Sequence, residues 1–235
     1  REYFVSTGTI TSCIKAKKII PDAVFPFGTK KIFMFSPQNM ENIRKKLNIP
    51  EHNEKTLHKD FFDFLEQRDY TLSYKMPFLL SLLKNANSIG EAKIDYVLKD
   101  YIQFYKDRLN LNLPVDKKSC PYTSEFLKNE KLCKENMITN PFEKFERKRF
   151  MFISKDLGII AINSALWDSF SKNDILKIKT QLLEDLRNYY KNLGNIIEEN
   201  QLVNFAKGYI YATKVVQKEP ELLVADSTNL NSGEN

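Results

Sequence analysis

The sequence predicts an α+β fold that is mainly α-helical, with a winged-helix-like centre and a small β-containing subregion at the start of the chain. Three observations lead to this prediction. Apolar side chains recur at helical spacing through much of the chain. A helix, a short break and a second amphipathic helix occupy residues 73–109, which is typical of a helix-turn-helix. Two apolar runs around the turn at residues 155–158 then predict a β-hairpin.

The composition indicates a folded chain with a modest positive charge. Its 235 residues include 36 Lys and Arg against 30 Asp and Glu, which gives a net charge of +6 and allows contact with a polyanion such as DNA. No apolar run approaches the ~18 residues of a membrane span, and the three cysteines follow no secretory segment. We therefore expect a cytoplasmic protein without membrane contact. Because the chain opens at Arg1 in mid-pattern, we expect it to be a piece of a larger protein.

Residues 1–69 are predicted to form a β/α subregion. The segments 3–14 and 23–35 are rich in β-branched and aromatic residues and contain Gly and Pro, which predicts short strands and turns. Ser36 and Pro37 then predict the N-cap and the first residue of a helix. Apolar residues on one face of the segment that follows predict a second helix.

A helical, winged-helix-like domain is predicted over residues 70–225, and the alternative that stays open is a helical bundle that carries an unrelated hairpin. Its first helix starts near Ser73, with Pro77 in the first turn, where proline is tolerated. Residues 87–92 break the pattern. The amphipathic segment 93–109 then predicts the second helix.

Short elements and the hairpin come next along the chain. One or two short helices begin at Thr123 or Ser124, after a polar linker at residues 111–118. Pro141 is expected to interrupt the helical pattern before the hairpin. Both hairpin strands, "FMFI" and "IIAI", are apolar at successive positions, so we expect protein to cover both faces of the hairpin.

The clearest helix lies near the end of the chain. Ser171 and Asp174 form a box-like start for it, and Gly194 ends it. A further helix is predicted over residues 196–217, and residues 226–235 are expected to be a disordered tail.

The sequence contains no complete catalytic motif. Glycine-rich phosphate loops are absent, and the two histidines lack the spacing of a zinc pair. A Glu91-Ala92-Lys93 triplet with Asp22 upstream leaves a divergent Mg²⁺ nuclease open, although Glu91 and Lys93 are predicted at a helix start and Asp22 is distant. We expect no cofactor, no metal and no catalytic activity from this chain alone.

The best DNA-binding candidates are the basic residues that alternate with phenylalanines just before the hairpin. In a winged module such side chains reach a groove or a phosphate strip. Any sequence-specific contact with the bases, called base reading below, is expected from the exposed side of residues 93–106. The predicted DNA-binding residues are Arg147, Lys148, Arg149, Lys155 in the hairpin turn, Lys172 and Lys177 in the clearest helix, and Lys93.

Aromatic residues on the helical stripes are expected in the core, not in stacking on bases. Among them, Trp167 is predicted to pack under the hairpin and Tyr190 to be partly exposed. The residues concerned are Tyr101, Phe104, Tyr105, Trp167, Tyr189 and Tyr190.

Several short patches, in this order, resemble a known accessory region. They are "SYKMPFLLSLL" (residues 73–83), "FYKDRL" (104–109), "NPFEKFERKRF" (140–150), "AINSALW" (161–167) and "LLEDLRNYY" (182–190). Together they resemble a region beside the motor of large superfamily 2 helicase and restriction-type defence proteins of bacteria, over residues 70–193. The resemblance implies a module without motor or nuclease activity that recognises DNA or couples recognition to the motor.

Three hypotheses for function remain open. The first is a DNA-binding or target-recognition module of a bacterial restriction or defence helicase-nuclease, with double-stranded DNA and the motor or nuclease domains of the same parent protein or complex as partners. The second is a protein-interaction scaffold that couples motor and nuclease subunits. The third is the divergent Mg²⁺ nuclease.

Overall fold

The computed structural model describes residues 7–49 and 51–194, and its fold is α+β and mainly helical, as the sequence predicts. Two small antiparallel sheets accompany the helices. The helix predicted over residues 196–217 and the tail at 226–235 lie outside the described residues. Among the helices that are described, none combines the length and the apolar character needed to span a bilayer.

The start of the chain folds as a helix, a hairpin and a second helix. These elements are α1 (Thr7–Lys15), β1 (Ala23–Phe27), β2 (Lys30–Met34) and α2 (Pro37–Lys46). The prediction of strands and turns over residues 3–14 is wrong for α1, in which Ile10 and Ile14 lie one helical turn apart and are both partly buried. The capping prediction is confirmed, because Ser36 Oγ accepts a hydrogen bond from Asn39 N–H at 3.2 Å and Pro37 begins α2.

Most of the core lies in the helices of the middle of the chain. They are α3 (Leu57–Glu66), α4 (Lys75–Asn85), α5 (Ile94–Asn110), α6 (Ser124–Lys128), α7 (Glu130–Met137) and α8 (Glu143–Arg147). Helix α4 is buried on every side from Met76 to Leu83, as its nearly continuous apolar sequence requires. It packs against α5, which places the first two predicted helices of the domain side by side.

Pro141 does not interrupt the helical segment before the hairpin, contrary to the prediction. A π-helical turn, Ile138–Phe142, contains Pro141 and joins α7 to α8. Such a turn departs from the regular pattern of N–H to carbonyl bonds four residues apart, so a residue without an N–H is accommodated there. Residues 130–147 are therefore helical throughout and lead directly to the hairpin.

Three short strands form the second sheet. They are β3 (Glu91–Lys93), β4 (Met151–Ser154) and β5 (Ile159–Ile162), and they pair antiparallel in the order β3-β5-β4. The predicted hairpin is confirmed as β4 and β5, with its turn at residues 155–158. Strand β3 was not predicted, because its residues were divided between the break and the start of α5. It forms by pairing with β5, with Lys93 opposite Ile159.

Only one face of the hairpin is well covered. Met151, Ile160 and Ile162 are at most 3% exposed, whereas Phe152 is 48% exposed. The prediction that protein covers both faces is therefore wrong. The alternation of buried and exposed side chains is that of an antiparallel sheet with one face on the core.

Up to residue 194, where the described part of the chain ends, the hairpin is followed by α9 (Ser164–Ser169) and α10 (Lys172–Asn192). Ser171 and Asp174 form a capping box at the start of α10, as predicted. Trp167 of α9 donates from its Nε1 to the carbonyl of Ser88 at 2.9 Å, and its indole packs against Gly90. Helix α9 thereby contacts the segment that leads into β3.

A polar and aromatic cluster connects α5, α10 and the loop between α5 and α6. The aromatic residues predicted in the core on α5 are buried, but the prediction that Tyr190 is partly exposed is wrong. The Arg108 guanidinium lies 3.7 Å from the centre of the Tyr190 ring, and the Tyr190 hydroxyl donates to the Val115 carbonyl at 2.6 Å. These two contacts hold Tyr190 inside the fold.

Candidate nucleic-acid interface

The hairpin turn brings together two of the predicted DNA-binding residues that are far apart in sequence. Lys155 is exposed in the turn, and Lys93 is exposed at the end of β3. Lys93 Nζ donates to the carbonyl of Leu157 at 3.3 Å, because the register of β3 with β5 places Lys93 next to the turn. The ammonium groups of Lys93 and Lys155 therefore lie at the same end of the sheet, next to the hairpin turn.

The charges around this turn are mixed. Lys134 of α7 pairs with Asp95 of α5 at 3.0 Å, with 43% and 81% of the two side chains exposed, and Asp156 is exposed in the turn itself. Three ammonium groups against two carboxylates leave an excess of one positive charge. A surface of this kind makes a few phosphate contacts and no dense electrostatic strip.

Exposed apolar and aromatic side chains surround the two lysines. Leu157 in the turn is 65% exposed, and Tyr96 in the first turn of α5 is 63% exposed. The Ile94 N–H donates to the Gly158 carbonyl at 2.9 Å, so α5, whose first turn contains Tyr96, begins at the hairpin turn. Sequence reasoning missed Tyr96. Its position off the apolar stripe of α5 is the signal that identifies it as exposed.

The basic segment Arg147–Arg149 is more strongly held by the protein than the sequence suggests. Arg147 Nε donates to Glu143 Oε1 at 3.0 Å, and its Nη2 contacts the same oxygen. Burial lowers the pKa of Lys148 from its usual value, and the nearby Arg147 charge adds to this effect. The Glu143 carboxylate therefore already compensates part of the positive charge of this segment.

Arg149 has a backbone role at the end of α8. Its φ is +62°, in the left-handed region that favours glycine. The Arg149 N–H donates to the Glu146 carbonyl at 2.9 Å, and the Phe150 N–H donates to the Phe145 carbonyl at 3.1 Å. These two bonds form a Schellman motif, in which the left-handed residue is usually glycine.

We expect the Arg149→Gly variant to be more stable than the Arg149→Ala variant by about 1 kcal/mol, because only glycine adopts this φ without strain. Both variants lose the same guanidinium group, so the comparison between them isolates the backbone conformation at this residue. Urea unfolding of the two variants measures the difference. Equal stability would show that the left-handed conformation at this residue contributes no strain.

The two lysines of α10 lie on a different part of the described structure. Lys172 and Lys177 are exposed, and Lys177 Nζ lies 5.0 Å from the centre of the Phe62 ring on α3. An open groove between α3 and α10 is lined by Lys177 and Arg68 together with Glu66 and Glu184. The two carboxylates balance the two cationic side chains, so this groove carries no excess of positive charge.

The residues of the nuclease hypothesis do not assemble into a site. Glu91 and Lys93 lie in β3, directly before α5, of which Lys93 is the N-cap residue, and the period of a strand places both on the same face. Asp22 instead accepts hydrogen bonds from Ser36 N–H at 2.7 Å and Asn39 Nδ2 at 2.9 Å. Across residues 7–49 and 51–194, no group of three His, Cys, Asp or Glu side chains is arranged to hold a metal ion.

Comparison with known proteins adds no assignment to this surface. No protein-family model, no curated protein and no solved structure matches the sequence.

Proposed function

We propose that this chain is a module that binds double-stranded DNA through the turn of the β4–β5 hairpin and the helical segment before it. The observation that carries the proposal is the strand order β3-β5-β4. Strand β3 comes from between α4 and α5 and adds to a hairpin that follows the helical segment 130–147. This order of elements supports a winged-helix arrangement in which the short helix α6 is inserted between α5 and that segment. Lys155 then lies in the hairpin turn, and Lys93 lies beside that turn.

In this arrangement the segment 130–147 takes the place of the helix that enters the major groove. Base reading therefore moves from residues 93–106, where the sequence predicts it, to this segment. Its exposed polar side chains recur about once per helical turn and include hydrogen-bond donors and acceptors of the kind that read base edges. They are Lys131, Glu135, Thr139, Asn140 and Lys144.

Contact with phosphates is assigned to Lys93 and Lys155. Their side chains are exposed, and within the described part of the chain the Lys93 ammonium bonds to the Leu157 carbonyl and to no carboxylate. Arg147 is a weaker candidate, because DNA would have to compete with Glu143 for its guanidinium. Lys172 and Lys177 lie on the α3 side and are not assigned to the same contact.

The Lys93→Ala, Lys155→Ala double variant is expected to bind every duplex more weakly, irrespective of sequence. Each phosphate contact contributes about 0.9 to the slope of log K against log salt, so losing two flattens the slope by about 2. Fluorescence anisotropy of a labelled duplex across a salt series measures both quantities.

The matched control is the Lys59→Ala, Lys128→Ala double variant. It loses the same charge from exposed lysines that pair with Asp63 and Glu125 away from the hairpin. The control should keep the slope of the unmodified chain. Equal slopes for the two double variants would remove the hairpin turn from the interface.

The resemblance to accessory regions of helicase and restriction-type defence proteins extends the proposal to a partner. We propose that the module serves a motor or nuclease domain of the same parent protein or complex in a bacterium. The adjoining reading frame tests this part directly. A frame that encodes neither Walker motifs nor a phospholipase D-type motif would contradict it.

A protein-interaction scaffold is the second candidate, and one observation favours it. Among the described residues, four apolar or aromatic side chains in or next to the sheet are at least 48% exposed: Ile89, Tyr96, Phe152 and Leu157. Exposed apolar surface of this kind often marks a protein interface. Duplex binding at low salt separates the two functions, because a scaffold whose charge serves only solubility has no measurable affinity for DNA.

A further inference from the structure

The hairpin near the start of the chain has an apolar face that is open to solvent. In its register Phe25 lies opposite Ile32, and Phe27 lies opposite Lys30. Cross-strand partners share a face of the sheet. The large apolar side chains of this face and their exposed fractions are Phe25 (54%), Phe27 (70%), Ile32 (44%) and Met34 (51%).

Such a hairpin is expected to have a ligand. Two strands alone are marginally stable in water, and contiguous exposed apolar surface marks an interaction site. The base of the hairpin is fixed by the Asp22 N–H, which donates to the Met34 carbonyl, and by the bonds from Ser36 and Asn39 to the Asp22 carboxylate. The exposed face is thus presented by a segment whose base is tied to α2.

The charge around this face indicates an anionic ligand. Lys30 follows the turn at one end of the hairpin and lies on this face, opposite Phe27, whereas Lys31 lies at the same end on the other face. Three more exposed lysines precede β1 in the chain. These three are Lys15, Lys17 and Lys18. Asp22 is the only acidic residue between Thr7 and Met40, and its carboxylate is engaged by α2. Positive charge therefore lies on the apolar face next to the turn and precedes the hairpin in the chain.

The two phenylalanine rings have the spacing of successive bases in an extended strand. Phe25 and Phe27 are two residues apart in β1, so their positions are separated by about 6.6 Å along the strand. This is about twice the 3.4 Å between stacked nucleotides of one strand, which leaves room for one base on each ring. Aromatic side chains flanked by lysines are the usual elements of single-strand binding surfaces.

We propose that this face is a binding site for single-stranded nucleic acid, with bases stacked on Phe25 and Phe27 and phosphates on Lys30 and the lysines that precede β1. The site is separate from the duplex interface and does not depend on it. An anionic membrane or a second copy of the chain would need only apolar area on this face. Base stacking needs the aromatic rings, and this difference provides the test.

The test measures binding of the whole chain to a labelled oligothymidine of about 15 nucleotides by fluorescence anisotropy. Phe25→Leu with Phe27→Leu keeps apolar side chains and removes both rings, and the affinity should fall about tenfold or more. Phe25→Trp with Phe27→Trp should retain binding. Val24→Ala, on the opposite face, is the control for loss of apolar area and should bind like the unmodified chain.

A second readout follows stacking itself. With 2-aminopurine in the oligonucleotide, its fluorescence should change on binding to the unmodified chain and to the tryptophan variant. Circular dichroism of each variant checks that the fold is retained. No binding by the unmodified chain, or equal binding by the leucine variant, would overturn the proposal.

A lipid surface or a second copy of the chain, if bound to this face instead, would give different experimental results. In the first case the chain would float with phosphatidylserine-containing vesicles, both unmodified and with the two leucine substitutions, and bind no oligonucleotide. That result would overturn the proposal in favour of a lipid surface. Dimers detected by sedimentation for both the unmodified chain and the double leucine variant would overturn the proposal in favour of a second copy. The Lys93→Ala, Lys155→Ala variant should bind the oligothymidine normally, so failure of the duplex interface and failure of this site are distinguishable.

Discussion

Replacing Gly90 with Ala is expected to lower the free energy of unfolding by about 2–4 kcal/mol. The φ of Gly90 is +79°, where any other residue is strained. A Cβ atom there would also lie 2.8 Å from Cγ and Cδ2 of Trp167, which is closer than such contacts allow. The Trp167 indole cannot retreat easily, because its Nε1 donates to the Ser88 carbonyl. Urea unfolding measures the loss.

Gly158 in the hairpin turn is the matched control. Its φ is +62°, but a Cβ atom there would meet nothing within 4 Å. Gly158→Ala therefore adds only the backbone strain, about 1 kcal/mol. Equal losses at the two glycines would contradict the close approach of Trp167 to the segment before β3.

The Gly90→Ala substitution should also affect DNA binding. The Gly90 carbonyl accepts a hydrogen bond from the Ile162 N–H at 3.0 Å, so it holds the start of β3 against β5. Displacing this segment moves Lys93 away from the hairpin turn. Weaker duplex binding by a folded Gly90→Ala variant is thus expected, with the same flattening of salt dependence as for loss of Lys93.

Replacing Asp116 with Ala is expected to destabilise the fold by about 3 kcal/mol. The Asp116 carboxylate accepts hydrogen bonds from the N–H and Oγ of Ser73, at 2.9 and 2.6 Å, and from the Tyr189 hydroxyl at 2.5 Å. Ser73 is fully buried and Tyr189 is 9% exposed, so donors that lose this acceptor are not readily hydrated. Chemical unfolding of the variant measures the effect.

Asp156→Ala provides the comparison for Asp116. This aspartate is exposed in the hairpin turn, and its removal should change the free energy of unfolding by less than about 0.5 kcal/mol. If the loss of stability at Asp116 were no larger than at Asp156, the Asp116 carboxylate would not join the segment before α4, helix α10 and the loop after α5.

Elements with local signals could be predicted from the sequence. The caps at Ser36 and Ser171 bond to backbone groups three residues away, so the residues that define them are neighbours in the chain. The hairpin β4–β5 is likewise a local structure with its turn between its strands. The α+β, mainly helical class follows from such elements. The winged-helix arrangement stays a prediction.

Features that depend on distant partners could not be predicted. Strand β3 has three residues, and its partner β5 lies more than 60 residues later in the chain. The proximity of Lys93 to Lys155, on which the candidate interface depends, follows from that pairing alone. The burial of Tyr190 likewise requires Arg108 from another helix. Pro141 was misread because a π-helical turn accommodates it within a helical segment.

Duplex binding by the unmodified chain tests the central claim most directly. Fluorescence anisotropy with a labelled random-sequence duplex should give a Kd between about 1 and 100 µM near physiological salt, with log K falling linearly as log salt rises. The two proposed phosphate contacts, of Lys93 and Lys155, should account for about 2 units of the slope of log K against log salt. A Kd that stays above about 1 mM even at low salt would contradict the account and leave the scaffold function.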